Sequence, residues 1–293
     1  MDRGAFSQEL RILQCQYCGA PVSVPVAGGQ VRCAYCQSVN VLAPRAPDVV
    51  SRRPMSGAVY DPTAVPPGLE WVRSGPPTTE NLAARAAPLR EEWRRARARL
   101  ARPGADLVDQ QRAYYVLNAL LNAIDVGSST PFERRALLET ARELFADAGF
   151  AQLVTCRMVS EAVAENDAVA AEQWLARCAA VTRVLELDTA LAAARARLAL
   201  LRADWESVLA VVGARPGDVP FASAWQPILA LFRVHAHDRL GHVAQADAEL
   251  RGLLSSEHAR EWVRAAVSAR TNANLALCAA PLARAGGAAR TPR

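Results

Sequence analysis

Cys15-Gln16-Tyr17-Cys18 and Cys33-Ala34-Tyr35-Cys36 are two Cys-x-x-Cys pairs, and fourteen residues separate them. Each pair can wrap around one side of a metal ion, and four thiolates complete a tetrahedral shell. The short spacing is typical of a zinc ribbon, although it lies one residue below the usual range. The stretch therefore predicts one structural zinc ion near the N-terminus, with Cys15, Cys18, Cys33 and Cys36 as its ligands.

The residues around the two pairs show the alternation of short β-strands. Val22, Val24 and Val26 alternate with Ser23 and Pro25, as expected for a strand with one buried face. Two consecutive glycines at 28–29 predict a turn, and the valines at 31, 39 and 41 supply the returning strands. We therefore predict a small β zinc ribbon over about residues 12–42.

Two other interpretations of the four cysteines are open. They could form two disulfides, but the start Met1-Asp2-Arg3-Gly4 has no signal-peptide pattern that would predict an oxidising compartment. Iron can replace zinc in a four-thiolate site and would bring redox chemistry. With either metal, four thiolates close the shell and leave no position for water or substrate. The site is therefore expected to serve folding rather than catalysis.

The ribbon resembles the small zinc finger of the plant lesion-simulating-disease regulators. The resemblance is carried by Cys15-x-x-Cys18, Pro25, Val31-Arg32-Cys33-Ala34-x-Cys36 and Val39. The length of the loop between the pairs also matches that family. The resemblance implies a zinc-bound module that recognises proteins. It covers residues 12–42 and implies nothing about the rest of the chain.

The composition of the remaining chain predicts an all-helical body. Of the 293 residues, 51% are apolar, alanine and leucine dominate, and strand-type runs are scarce after residue 50. All 34 basic residues are arginine, and the net charge of +5 is too modest to indicate nucleic acid by itself. No run of 18 apolar residues appears, so no membrane span is expected. The cytoplasm is the expected compartment.

Proline density and helical patterns divide the chain into four predicted segments. These are a zinc ribbon over 1–45, a Pro-rich linker over 46–79, an α-helical repeat domain over 80–285 and a flexible tail over 286–293. The linker contains the apolar residues Tyr60, Leu69, Trp71 and Val72. We expect them to attach part of the linker to the helical body.

An arginine-rich helix is predicted over about 88–102, because Pro88 suits a first helical turn. Leu89, Trp93, Ala96 and Leu100 recur at helical spacing and form one apolar stripe. The arginines beside the stripe have two interpretations, a phosphate or partner contact and a solvated face. The candidate contact residues are Arg90, Arg94 and Arg97.

Three six-residue segments that begin at Asn166, Ala203 and Gly241 resemble one another, at spacings of 37 and 38 residues. Each follows one helical pattern and opens another, which predicts the tight turn of a helix hairpin. The arrangement resembles the tetratricopeptide repeat, whose period is about 34 residues, and implies a divergent helical solenoid. A last helix over about 256–279 is expected to cap the stack. Within the second hairpin, Trp205, Val208 and Leu209 are predicted to be buried.

Two classes of function remain for this architecture. A non-enzymatic adaptor would bind a protein partner through the ribbon and the helical surface. The alternative is a nucleic-acid-associated factor that uses the helix at 88–102. The loop from Gly19 to Gln30 has no basic residue, which favours the adaptor. No phosphate loop, nucleophile elbow or second metal motif appears, so no catalytic residue is predicted.

Overall fold

The protein consists of two compact units, Met1–Pro54 and Met55–Arg293. The computed structural model describes residues 10–15, 18, 21–25, 29–42, 57–61, 64–74, 79–102, 104–125, 130–178, 184–273 and 275–288. Gly19, residues 43–45 of the predicted ribbon, residues 46–56 of the predicted linker and residues 289–293 of the predicted tail lie outside these ranges. In the described part of the chain, no helix has the length and apolarity that spanning a lipid bilayer requires.

The N-terminal unit contains two antiparallel strand pairs. Strands β1 (Leu10–Gln14) and β2 (Pro21–Pro25) form one pair, and β3 (Gly29–Arg32) and β4 (Val39–Leu42) form the other. In the first pair Gln14 lies opposite Pro21, and in the second Arg32 lies opposite Val39. Each register places two cysteines at the closed end of its hairpin.

The second unit is built from α-helices, so the predicted mainly-α fold with a small N-terminal β region is confirmed. The first helices are α1 (Thr79–Leu100), α2 (Leu107–Asp125), α3 (Pro131–Leu144), α4 (Ala148–Ala164), α5 (Ala168–Ala176) and α6 (Leu185–Leu201). They are followed by α7 (Trp205–Val212), α8 (Gln226–Arg239), α9 (Val243–Leu253), α10 (Glu257–Ser268), α11 (Arg270–Ala273) and α12 (Ala279–Ala288). Helix α12 extends into the segment that was predicted to be a flexible tail.

Part of the predicted linker packs on the helical unit. It forms two 3₁₀ turns, Gly57–Tyr60 and Glu70–Arg73. The Tyr60 hydroxyl donates to Asp147 Oδ1 at 3.0 Å, and the same carboxylate caps the first turn of α4. The Tyr60 ring lies so close to Gly149 that a Cβ atom there would lie 2.6 Å from it. Tyr60 therefore requires glycine at this position of α4.

The remaining apolar residues of this segment are also in contact with the helical body. Leu69 and Val72 are buried in its core, and Trp71 is partly buried against it. Arg85 on α1 donates to the Val72 carbonyl at 2.6 Å, and Arg112 on α2 donates to the Pro67 carbonyl at 2.7 Å. These contacts attach the segment to two helices, so it belongs to the second unit.

Helix α1 begins at Thr79, nine residues before the predicted start at Pro88. The prediction was wrong because a proline that suits a first turn is also tolerated inside a helix when neighbouring contacts stabilise both sides. Pro88 is exposed, so its missing N–H leaves the carbonyl one turn earlier open to water. The apolar stripe was correct, since Leu89, Trp93 and Ala96 are buried, and so is Leu100.

The turns α4–α5, α6–α7 and α8–α9 share one backbone geometry. At Asn166, Ala203 and Gly241 the values of φ are 61°, 55° and 79°. In each turn the N–H of this residue donates to the carbonyl three residues before it. The N–H of the next residue donates to the carbonyl five residues before itself. This pair of hydrogen bonds is a Schellman motif. The carboxylates of Asp167 and Asp204 then cap α5 and α7. The three segments predicted as hairpin turns are therefore turns of one type.

The hairpins contact one another through their first helices and through second helices, since α5 contacts α6 and α7 packs on α8. Helix α6 contacts both α4 and α8, while α5, α7 and α9 each pack on the first helix of their own hairpin. Val208 on α7 is fully buried, as expected, whereas Trp205 and Leu209 are only partly buried. The Trp205 ring contacts His235 edge to face at 5.3 Å and lies under the Arg239 guanidinium at 5.6 Å.

The segment after α10 crosses the first helices of all three hairpins. We call residues 270–273 and 275–278 the C-terminal segment. Arg270 pairs with Glu161 on α4, and the Asn272 Oδ1 accepts from Arg197 Nε on α6 at 3.4 Å. The predicted continuous helix over 256–279 was therefore wrong. The chain breaks after Ser268, and long-range contacts hold the part that follows.

The C-terminal segment ends in a buried contact with α8. The Cys278 N–H donates to His235 Nδ1 at 3.2 Å, and the Cys278 thiol donates to the Leu231 carbonyl at 3.4 Å. Burial lowers the pKa of His235 to about 4, so its ring is neutral near pH 7 and can accept this hydrogen bond. Leu277 and Cys278 are fully buried. The segment therefore forms part of the core rather than a loose extension.

Candidate metal centre

The two strand pairs bring the four cysteines to their closed ends. Cys15 directly follows β1, and Cys33 directly follows β3. In the second turn the Cys33 N–H donates to the Ser38 carbonyl at 2.9 Å, and the Gln37 N–H donates to the Cys33 carbonyl at 3.0 Å. Gln37 has a φ of 61°, the left-handed conformation that reverses the chain before β4.

The four Sγ atoms all lie within 4.8 Å of one another. Those of Cys15 and Cys36 are 3.6 Å apart, and those of Cys18 and Cys33 are 3.7 Å apart. A tetrahedral zinc ion with Zn–S bonds of about 2.3 Å would place its sulfurs about 3.8 Å apart. Both close contacts join a cysteine of one pair to a cysteine of the other. The cluster can therefore hold one metal ion that links the two hairpins.

Hydrogen-bond donors reach two of the four sulfurs. Cys15 and Cys33 are buried, and the Asn40 side-chain amide donates to the Cys15 sulfur at 3.4 Å. Hydrogen bonds from Ser38 lower the pKa of the Cys36 thiol. Because the thiolate is the form that binds metal, both features prepare the cluster for an ion.

Asn40 is the residue of the centre that sequence reasoning missed. It is 2% exposed on β4, and its amide also donates to the Ser38 carbonyl at 3.3 Å. Asparagine is uncommon in strands, and here it stands between Val39 and Val41. That polar residue in an apolar strand was the signal available in the sequence.

Replacing Asn40 by alanine is expected to weaken metal binding about 10- to 100-fold, the usual loss when a partner of a metal ligand is removed. The loss should be measured as transfer of the ion to a chromogenic chelator under reducing conditions. Gln30→Ala, an exposed change on β3, is the matched control and should leave the transfer unchanged. Equal affinities for wild type and Asn40→Ala would contradict the role given to this amide.

The candidate contact residues Arg90, Arg94 and Arg97 lie on one exposed face of α1. Arg90 Nη2 is 2.9 Å from Glu133 Oε1, and Arg94 pairs with Glu91 on the same helix. Among the described residues, no carboxylate lies within 4 Å of the Arg97 guanidinium. Two of the three arginines therefore already contact carboxylates, which lowers the positive potential of this face.

The other three cysteines lie in the helical unit. Cys156 and Cys278 are buried and Cys178 is partly buried, with the sulfurs of Cys156 and Cys178 3.9 Å apart. The contact with Cys178, together with burial, raises the pKa of the Cys156 thiol well above its usual range. Burial raises the pKa of Cys278 to about 12. Cys156 and Cys278 are therefore protonated at neutral pH and have the character of structural thiols.

The chemistry of the centre follows from its four sulfur donors. Four thiolates bind zinc or iron in a tetrahedron and leave no coordination position open for a substrate. In the described part of the chain, no other group of three or more metal-binding side chains comes together. Comparisons with protein-family models, with curated proteins and with solved structures found no match to this chain.

Proposed function

We propose that the protein is a non-enzymatic adaptor that binds a protein partner through two modules. One module is the ribbon, held by a single structural zinc ion on Cys15, Cys18, Cys33 and Cys36. The other is the stack of hairpins α4–α5, α6–α7 and α8–α9. The observation that carries the proposal is the shared geometry of the three hairpin turns, since stacked helical hairpins offer an extended surface for a partner.

Zinc is the metal that the centre favours in this proposal. The four-thiolate shell is the usual composition of structural zinc sites, and the sulfur spacing agrees with it. The resemblance to the lesion-simulating-disease zinc finger supports a ribbon that recognises proteins. Because the shell is closed, the ion acts by folding the ribbon, and the ribbon surface makes the contact.

The hairpin stack supports a divergent tetratricopeptide-like solenoid. The spacings of 37 and 38 residues between equivalent turns are slightly longer than the repeat period of about 34. The C-terminal segment covers a face of the first helices α4, α6 and α8, and α12 packs on α9, where Arg284 Nη2 lies 2.9 Å from Asp247 Oδ1. We therefore place the partner contact on α5 and α7.

Affinity capture from extract tests the adaptor proposal with three baits and one control variant. The intact chain should retain a defined protein partner, and a chain without residues 1–45 should retain less because one of two linked contacts is gone. Charge reversal at the exposed Glu206 on α7 should reduce capture further, with Arg195→Gln on α6 as the control. Loss of the captured material after nuclease treatment would contradict the proposal.

The alternative, a nucleic-acid-associated factor, predicts a different salt dependence. Each phosphate that an arginine neutralises contributes about −0.9 to the slope of log affinity against log salt on duplex DNA. We expect binding no tighter than about 10⁻⁴ to 10⁻⁶ M at physiological salt, measured by fluorescence anisotropy, because Arg90 and Arg94 already contact carboxylates. Sub-micromolar, sequence-dependent binding that is lost when Arg90, Arg94 and Arg97 become glutamine would favour the alternative.

A further inference from the structure

A cavity of about 250 Å³ lies in the helical unit between α2, α4, α6 and the 3₁₀ turn Ser223–Trp225. Its lining includes the polar side chains of Tyr114, Asn118, Asn122, Cys156, Arg157, Ser160, Arg197 and Trp225. Among the residues that the structure describes, no aspartate or glutamate lines it. Two guanidinium groups thus share one cavity without a carboxylate in its wall.

Arg197 is the central feature of this cavity. Its Nε donates to Asn272 Oδ1 at 3.4 Å, its Nη1 donates to Ser160 Oγ at 3.3 Å, and its guanidinium lies over the Phe232 ring at 5.3 Å. All three partners are neutral, and in the described residues no carboxylate oxygen lies within 4 Å of it. An interior positive charge without a counter-charge is unfavourable, so an anion would stabilise this position.

The surroundings of Arg197 add to its positive potential. Burial, and secondly the charge of Arg157, lower the pKa of Arg197 to about 10, so it remains charged at neutral pH. Arg157 Nε lies 3.4 Å from Glu161 Oε1, and this carboxylate also contacts Arg134 and Arg270. The negative charge nearest to the cavity is therefore shared among three arginines.

The cavity also offers neutral hydrogen-bond donors. Trp225 Nε1–H is buried and has no acceptor among the described residues. Asn118 forms a hydrogen bond with the Tyr114 hydroxyl, and the exposed Asn122 carries an amide group with two N–H donors. Because an indole N–H can only donate, the oxygen of a bound anion would satisfy it better than any side chain present.

The volume limits the kind of molecule that fits. A liquid water molecule occupies about 30 Å³, so the cavity has room for about eight waters, or for a carboxylate or phosphate group with several carbon atoms. A polymer such as nucleic acid does not fit such a space. Asn122 is exposed, which places an opening of the cavity at the surface near α2.

We propose that this cavity binds a small organic anion, whose carboxylate or phosphate oxygens contact Arg197 and Arg157 and accept the Trp225 Nε1–H. The site is separate from the metal centre, and it lies on α2, α4 and α6 rather than on the proposed partner surface. Evidence against the adaptor proposal would therefore not count against the anion site.

The test is ligand-dependent thermal stability of the full chain. The probes are inorganic phosphate, phenyl phosphate and benzoate, each compared with sodium chloride at the same ionic strength. At about 100 times its dissociation constant, a binding probe should raise the Tm of the helical unit by about 5 °C. A larger rise with phenyl phosphate assigns the phosphate class, and a larger rise with benzoate assigns the carboxylate class.

Three variants and one control separate anion binding from a structural role of Arg197. Arg197→Gln should weaken probe binding about 10- to 100-fold, and Trp225→Phe, which removes the N–H donor together with part of the ring system, about threefold to tenfold. Arg195→Gln, an exposed change on the same helix, should bind as wild type does. Asn272→Ala frees the guanidinium from its neutral partner and should bind the probe at least as tightly as wild type.

No Tm rise above the chloride control with any probe on the wild-type chain would overturn the proposal, and this result does not depend on any variant folding. Equal ligand-dependent shifts in Arg197→Gln and Arg195→Gln would overturn it as well. In that case Arg197 would serve only to hold the C-terminal segment through Asn272.

Discussion

The Cys33→Ser chain is expected to lose its metal ion and the fold of the ribbon, while the helical unit keeps its helicity. Among the described residues, the core of the ribbon consists of Cys15, Val22 and Cys33 with Val31 packed against it, and a core of this size does not fold without further stabilisation. Metal binding of about 10–16 kcal/mol is therefore its main source of folding free energy. The buried core of the helical unit, as far as the described residues show it, is formed by residues from Tyr60 onward.

Three measurements on the purified protein check this result. Elemental analysis should find one zinc per wild-type chain and none in Cys33→Ser, and circular dichroism at 222 nm should be the same for both. Cys178→Ser removes a partly buried thiol outside the cluster and should keep the full metal content. Iron in the wild type, or no metal after a reducing preparation, would show that the zinc assignment is wrong.

Glu161→Gln should lower the free energy of unfolding of the helical unit by about 3–5 kcal/mol, the usual cost of breaking a buried ion pair. Glu161 is 5% exposed, and its carboxylate contacts Arg134, Arg157 and Arg270. Arg134 is itself 4% exposed, so the neutral amide would remove a carboxylate charge that faces a buried guanidinium. Urea unfolding followed by circular dichroism measures the change.

A neighbouring glutamate provides the matched control. Glu165 ends the same helix and pairs with Arg135, whose side chain is 53% exposed. Glu165→Gln should therefore change the free energy of unfolding by no more than about 1 kcal/mol. Because Glu161 holds Arg270, Glu161→Gln should also speed proteolysis of the C-terminal segment. Equal stability of the two variants would show that the buried cluster contributes nothing beyond a surface pair.

The features that sequence predicted well are those that local spacing determines. Two Cys-x-x-Cys pairs predict a cluster of four cysteines that can hold a metal ion, and the stripe from Leu89 to Leu100 follows from helical periodicity. The turns after α4, α6 and α8 were visible because their short segments resemble one another. The start of α1 was missed because proline is common in the first turn of a helix, and the sequence therefore predicts a start at Pro88. In the structure Pro88 lies inside the helix.

The features that sequence did not predict depend on contacts between distant residues. Nothing near Arg197 in the chain indicates that its partners are Ser160 and Asn272. In the same way, the continuous helical pattern over 256–279 hides the break after Ser268, which is stabilised by Glu161 and His235 on other helices. A helical period reports which face of a helix is apolar, but it cannot report which residues meet across a fold.

The late position of the C-terminal segment in the sequence also affects how the helical unit folds during synthesis. Asn272 follows its partner Arg197 by 75 residues, so at about 5–20 residues per second the ribosome adds it about 4–15 s later. During that interval the nascent hairpins expose the surface that residues 270–278 later cover, and chaperones can reach it. A premature stop codon before Arg270 would make that exposure permanent, so we expect such truncated products to be degraded rather than to accumulate.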